Sequence, residues 1–218
     1  KTIVKRPAPV ILGMFGQLIL LPATAYAIAM GFGVPNTVAL ALIIIAACPG
    51  GATSNAFSVL IRGDLALSIS LTAISSLLAF LTVPLIVNLA ISHFDYQSAV
   101  VQLSFFDTAQ RLFLTVALPL IAGMILRHKY PALQQIVTRP IFWFAFVCLL
   151  LPSLSFFAQF YSLATGPDLF PSMTAILLNF AMVAAGYGMA RFIGLGQQQA
   201  RTLGAEIGIQ NYGLVLVV

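Results

Sequence analysis

Charged side chains are scarce in this 218-residue sequence: Lys, Arg, Asp and Glu make up 7% of it, and only five residues are acidic. Soluble domains contain about 25% charged residues, so this scarcity excludes an ordinary soluble globular protein. Hydrophobic residues account for 61% of the chain, and the mean hydropathy is +1.05. The composition therefore predicts an integral membrane protein.

Cysteine and histidine are also rare, with two residues of each type. Cys48 and Cys148 lie in apolar surroundings, where a free cysteine usually acts as a small buried packing residue. The two histidines, His93 and His128, fall at the ends of apolar runs. The sequence contains no nucleophile elbow, phosphate-binding loop or metal-spaced His/Cys cluster. We therefore do not expect an enzyme.

The apolar residues form seven runs that are too long for the strands of a membrane barrel. Each complete run is long enough to cross a hydrocarbon layer about 30 Å thick as a helix. The sequence therefore predicts an all-α polytopic membrane protein. Because the last run has barely begun where the sequence stops, we expect this chain to be a piece of a longer protein. The seven runs are 7–32, 38–61, 65–92, 108–126, 141–163, 169–193 and 200–218.

The basic residues give these runs a direction. If the first run starts in the cytoplasm, nine of the ten basic residues fall on the inner side, and Arg111 is the exception. The nine are Lys1, Lys5, Arg6, Arg62, Arg127, Lys129, Arg139, Arg191 and Arg201. Cytoplasmic loops carry such an excess, so we predict a multi-pass protein of the cell inner (plasma) membrane with a cytoplasmic N-terminus. The net charge of +5 then needs no nucleic-acid partner.

Two of the runs contain interruptions. In the second run, Pro49 lacks a backbone N–H and is followed by two glycines, so a helix break is predicted at 48–55. Open backbone is tolerated inside a membrane only where protein or a water-filled cavity shields it. A second break is predicted at 210–213, in a run that crosses in the opposite direction. Paired breaks of this kind are typical of inverted-repeat secondary transporters.

Polar side chains accompany both breaks. Thr53, Ser54 and Asn55 offer oxygens beside the first break. Glu206 is the only acidic residue inside an apolar run, which makes it a functional candidate. Gln210 lies four residues further on, so in a helix it would share the face of Glu206. Such oxygen ligands suit an alkali or alkaline-earth cation rather than zinc or copper.

The residues alone leave a structural role open for each candidate. Glu206 could be held near a helix start by caps and water. Ser68 and Thr72 lie one turn apart in the third run, where hydroxyls usually bond to backbone or to a neighbouring helix. Gln17 and Asn179 could each form a simple helix–helix hydrogen bond.

Three motifs together resemble the bile acid:sodium symporter family. They are Cys48-Pro49-Gly50-Gly51 with Ser54-Asn55, then Gly63-Asp64-Leu65-Ala66-Leu67-Ser68, and finally Glu206-Ile207-Gly208-Ile209-Gln210-Asn211. The resemblance implies ten helices in two inverted repeats, with a panel domain and a core domain in which two broken helices cross. This chain would hold about seven of the ten. Residues 1–92 and 169–218 would belong to the core, and 108–163 to the panel.

The resemblance also implies two sodium sites. The first would use Ser54, Asn55, Ser68, Thr72 and Glu206. The second would use Gln17, Glu206, Gln210 and main-chain carbonyls near Ile207 and Ile209.

A substrate region is implied beside the breaks, with Thr53 and Asn211 as candidates, and Asn179 is a further candidate. Many relatives have Thr then Ala before Ser-Asn, whereas this chain has Ala52 then Thr53. Tyr212 also stands where a small residue is usual. Both departures touch the expected substrate pocket.

The function implied is sodium-coupled symport of an organic anion, either bile-acid-like or a small carboxylate, by alternating access. One carboxylate between two Na⁺ ions leaves one net positive charge, which favours a monoanion nearby. Membrane lipid is the other expected partner, and no obligate protein partner is evident. The alternative is a sodium-independent facilitator or channel that uses the same broken helices.

Overall fold

The computed structural model describes residues 7–94, 105–130, 140 and 169–210, and these residues are mostly helical. Among these described residues, four helices are long and apolar enough to cross a membrane. The prediction of an all-α multi-pass protein is therefore confirmed. The helices are α1 (Ala8–Phe32), α2 (Asn36–Ala47), α3 (Ala52–Leu60), α4 (Leu65–His93), α5 (Phe105–Leu112, Phe113–Ala117 and Leu118–Lys129), α6 (Leu169–Phe192) and α7 (Gln197–Gly208).

Helices α1, α4 and α6 match their predicted runs to within one residue. Helix α5 begins three residues before the predicted run, and α7 begins at Gln197 rather than at 200. The run predicted at 141–163 lies outside the described residues.

Two of the described helices contain π-helical turns, Gly16–Leu20 in α1 and Phe113–Ala117 in α5. A proline follows each turn, Pro22 in α1 and Pro119 in α5. Because proline cannot donate to the carbonyl four residues earlier and clashes with it, the regular ladder opens at that point. The turn in α1 carries Gln17, whose side chain is buried in the interior.

The interior is held together by aliphatic side chains and by close helix contacts. Leu21, Leu71 and Leu203 belong to one buried cluster that joins α1, α4 and α7. Helices α6 and α7 approach each other at glycines, and a Cβ added to Gly186 would lie 2.7 Å from the Leu203 carbonyl oxygen. Small residues at such contacts allow close backbone approach in membrane proteins. This packing fixes α7 against the rest of the bundle.

The two interruptions meet each other in space. Helix α2 ends at Ala47 and α3 begins at Ala52, while α7 ends at Gly208 and Ile209 is extended. Gly50 and Gln210 then pair as an isolated antiparallel bridge. The non-helical backbone of each interruption is therefore paired with that of the other. This pairing shields it, and non-helical backbone inside a membrane is tolerated only where it is shielded.

The predicted limits of the first break and the predicted start of the second need correction. The first covers 48–51 rather than 48–55, because the helix resumes directly after Gly51. The Gly51 carbonyl accepts from the Asn55 N–H at 3.4 Å and from Ser54 Oγ at 2.7 Å, so both residues lie in the first turn of α3. The second helix ends at Gly208, which places Gln210 beyond α7 and not on its face. Residues 211–213 lie outside the described residues.

Candidate functional site

Glu206 lies where α3, α4 and α7 meet, and its side chain is fully buried. Ser54 Oγ from α3 is 2.9 Å from Glu206 Oε1, and Thr72 Oγ1 from α4 is 3.0 Å from Oε2. Ser68 Oγ also contacts Oε1. Each carboxylate oxygen is therefore held by hydroxyl groups from the neighbouring helices.

Asn55 extends this cluster. Its Oδ1 lies 2.7 Å from Ser68 Oγ and 3.4 Å from Thr72 Oγ1, and its Nδ2 donates to the Gly51 carbonyl at 3.3 Å. The structure thus brings together all five side chains assigned by resemblance to a first site. Helical spacing explains part of this arrangement, because Ser68 and Thr72 are four residues apart and share one face of α4.

The cluster contains too few hydrogens for its oxygens. A Ser or Thr hydroxyl carries one hydrogen, so the hydroxyls of Ser54, Ser68 and Thr72 supply three. These hydroxyls nevertheless make six short contacts to acceptor oxygens, three on Glu206, two on Asn55 and one on Gly51. With Glu206 ionised, at most three of those contacts can each have a hydrogen of their own, so the other three must share a hydrogen or have none. A cation bound among these oxygens would attract each of them and offset their mutual repulsion.

The negative charge of Glu206 also lacks a compensating group in the part of the chain that the structure describes. Its side-chain partners there are all neutral, namely three hydroxyls and the amide of Gln17. An ionised carboxylate removed from water is costly unless it is paired or coordinates a metal ion. Carboxylate, amide and hydroxyl oxygens are ligands for hard cations. The arrangement is therefore chemically suited to hold a small hard cation.

A second group of oxygens lies near Glu206. Gln17 Nε2 donates to the Glu206 carbonyl at 2.8 Å, and Gln210 Nε2 donates to the Ile207 carbonyl at 2.8 Å. The Oε1 atoms of both glutamines are buried and find no hydrogen-bond donor among the described residues. Ile209 is extended, and its N–H donates to the Ala205 carbonyl. Two unpaired amide oxygens thus flank the bridge between the interruptions.

Gly50 packs directly against the carboxylate of Glu206. A Cβ built on Gly50 would lie 2.7 Å from Glu206 Oε2 and 3.1 Å from Gln17 Nε2. Real Cβ atoms essentially never come as close as 2.7 Å to another heavy atom. Only glycine lets the first interruption pass so near to the site, and its place in the sequence gave no hint of this contact beyond the helix break itself.

The candidate substrate residues are not gathered at the carboxylate. Thr53 is half-buried in the first turn of α3. Asn179 lines a cavity of about 870 Å³ between α3, α6 and α7, whose wall is mainly apolar and includes Phe57 and Phe180. Arg201 also lines this cavity, whereas the sequence pointed to it only as a basic residue of the predicted inner side. Asn211 lies outside the described residues.

Comparison with known proteins decides the family. A model described as "Sodium Bile acid symporter family" matches residues 1–164. The chain belongs to the sodium bile acid symporter family. The resemblance inferred from the motifs is therefore confirmed, and members of this family are transporters rather than enzymes.

Relatives in this family come from animals and bacteria. The "P3 protein" of Bos taurus is 31% identical over 227 residues, which cover 100% of this chain and 45% of that protein. "Sodium/bile acid cotransporter 4" of Homo sapiens is 30% identical, covering 99% of this chain and 49% of that protein. "Uncharacterized sodium-dependent transporter YocS" of Bacillus subtilis (strain 168) is 27% identical, covering 98% and 65%. The chain thus spans about half the length of the mammalian relatives.

Proposed function

We propose that the full protein is a symporter that couples the entry of Na⁺ to the uptake of an organic anion. The main support is the buried Glu206 carboxylate, which lies in a cluster of oxygens that has only three hydroxyl hydrogens for six acceptor contacts. A bound metal cation would compensate the negative charge of the carboxylate. It would also be coordinated by the oxygen lone pairs that have no hydrogen to accept. The family and the names of its relatives favour sodium among such cations.

Two sodium ions are proposed at the crossing. The first is held by Glu206 and Asn55 together with the hydroxyls of Ser54, Ser68 and Thr72. The second lies near the unpaired Oε1 atoms of Gln17 and Gln210, with Glu206 and main-chain carbonyls around Ile207 and Ile209. Sodium bound at both places would tie α1, α3, α4 and α7 to one another. Binding would thereby order the backbone of the two interruptions.

The anion is proposed to bind beside the ordered interruptions, near Thr53, Asn179 and Asn211. Two sodium ions against one carboxylate leave one positive charge, which favours a monoanion. Core helices at 1–92 and 169–218 would then rock against a panel at 108–163 and expose the site to the two sides in turn. The protein is proposed to lie in the plasma membrane. The basic residues Arg62, Lys129, Arg191 and Arg201 support an orientation with the N-terminus in the cytoplasm.

Uptake by the full-length protein in proteoliposomes tests this proposal. An inward sodium gradient is expected to drive accumulation of a carboxylate or sulfonate substrate above its outside concentration, whereas an equal choline gradient should not. Candidate substrates are found first by thermal shift, because a ligand that binds the folded state raises its apparent stability. Stabilisation by the anion should require sodium.

The membrane potential separates the proposed mechanism from its alternative. Two Na⁺ ions that move with one monoanion carry one net positive charge inward, so an inside-negative potential should accelerate uptake. A sodium-independent facilitator would equilibrate the anion without accumulating it. Uptake under the choline gradient would then equal uptake under the sodium gradient. That result would contradict sodium coupling.

A further inference from the structure

A buried hydroxyl without a partner lies on the predicted cytoplasmic side of Glu206. Ser58 is fully buried, and its Oγ has no hydrogen-bond partner among the described residues. It follows Ser54 by four residues on α3, so the two side chains share one helix face. Thr202 is also fully buried and precedes Glu206 by four residues on α7. Two rows of oxygens therefore run from the carboxylate toward the end of α3.

The turn that joins α3 to α4 closes the end of these rows. Thr202 Oγ1 accepts from the Asp64 N–H at 2.7 Å and lies 3.3 Å from the Asp64 carbonyl, to which it donates. The Gly63 N–H donates to the Ser58 carbonyl at 2.7 Å. Arg201 Nη1 donates to the Ile61 carbonyl at 3.2 Å. The turn is thus tied to both half-helices by hydrogen bonds.

Gly63 shows how tightly the turn fits. A Cβ on this residue would lie 2.5 Å from Thr202 Oγ1 and 3.1 Å from the Ser58 carbonyl. The preceding residue, Arg62, has a φ of 55°, which is uncommon for a residue other than glycine. Asp64 then caps α4 by accepting from the Leu67 N–H at 3.1 Å. The turn therefore packs tightly against the inner end of the two rows of oxygens.

We propose that Ser58, Thr202 and the 61–64 turn form the inner gate through which sodium leaves the site toward the cytoplasm. This inference rests on the proposed function. The Ser58 hydroxyl is an oxygen that an ion can meet after it leaves Glu206 and Ser54, and it has lone pairs free for that contact. The hydrogen bonds between Thr202 and Asp64 keep water out while the gate is closed. They are bonds of neutral groups, which break at modest cost.

Accessibility to a thiol reagent tests the path. In full-length protein otherwise free of cysteine, a Ser58→Cys variant should react with a membrane-impermeant thiol reagent from the cytoplasmic side, and saturating sodium should slow the reaction. Ser75→Cys is the matched control, because Ser75 is equally buried but lies beyond Thr72 on the outer side of the site. It should not react from the inside. Gln198→Cys, at the exposed start of α7, reports which side the reagent reaches.

Labelling can contradict the gate directly. If Gln198→Cys reacts from the inside while Ser58→Cys does not, with or without sodium, no inner path passes Ser58. Reaction of Ser58→Cys from the outer side alone would overturn the proposal as well.

The rate of sodium release tests the closing contact. Thr202→Val keeps the side-chain shape but removes the hydrogen bonds to Asp64, so radioactive sodium should leave the full-length protein roughly tenfold faster. Thr202→Ser keeps the hydroxyl, so it should release sodium as slowly as the unaltered protein. Thr82→Val is the control, because the Thr82 hydroxyl bonds to the Leu78 carbonyl of its own helix. Unchanged release in folded Thr202→Val would overturn the gate while leaving the proposed function intact. Absence of sodium binding in the unaltered protein would overturn the proposed function itself.

Discussion

Replacing Glu206 with Gln is expected to abolish sodium-stimulated uptake in vesicles that contain the full-length protein. Glu206 is the only charged group at the proposed ion site among the described residues. A pair of unit charges about 4 Å apart is worth about 4 kcal/mol at an effective dielectric constant of about 20. Loss of that attraction weakens sodium binding by a factor of roughly a thousand. Uptake measured with and without a sodium gradient gives the result.

The same substitution should leave the protein folded. The amide of Gln supplies two hydrogens to a cluster that is short of them, and it nearly matches the shape of the carboxylate. The melting temperature of Glu206→Gln without sodium is therefore expected to equal or exceed that of the unaltered protein. Added sodium should raise the melting temperature of the unaltered protein and not that of the variant, because a ligand stabilises only a state that it binds.

Asp107→Asn is the matched control for the loss of one carboxylate. Asp107 is exposed in the first turn of α5, away from the oxygen cluster. Uptake by this variant should keep its full sodium dependence. If Glu206→Gln also kept an undiminished sodium dependence, the carboxylate would not be an ion ligand and the proposed sites would be wrong.

The sequence predicted the membrane helices well because hydrophobic length determines them. Helices α1, α4 and α6 begin and end within one residue of their predicted runs. Polar connectors and glycines stop these helices at the membrane edge, where the local composition changes sharply. The limits of the breaks depend instead on contacts. The predicted first break extends to Asn55, but the N–H of Asn55 bonds to the Gly51 carbonyl and helps to restart the helix.

The candidate site was only partly accessible to sequence reasoning. Glu206 could be singled out because a carboxylate inside an apolar run is rare. Ser68 and Thr72 were assigned only through the family motifs, because periodicity alone could not choose between them and the other serines of α4. Ser58 and Thr202 gave no signal at all. Their roles depend on the crossing of α3 and α7, which brings together residues more than 140 positions apart in the chain.

Replacing Gly50 with Ala is expected to disable the site without removing any of its ligands. The added Cβ would lie 2.7 Å from Glu206 Oε2, so either the carboxylate or the bridge to Gln210 must move. A misplacement of about 1 Å at a catalytic site can cost a factor of roughly a hundred, and ion coordination depends on geometry to a similar degree. We therefore expect the apparent sodium affinity in uptake assays to fall by roughly a hundredfold.

Gly31→Ala is the matched control for the added methyl group. Gly31 lies inside α1, and a Cβ there would meet nothing within 4 Å. Alanine has a helix propensity about 1 kcal/mol better than that of glycine, so this variant should be as stable as the unaltered protein or slightly more stable, with unchanged sodium affinity. If Gly50→Ala also kept its sodium affinity, Gly50 would not cover the bound ion. The crossing of the two interruptions would then have to hold sodium with a different arrangement of the Glu206 carboxylate.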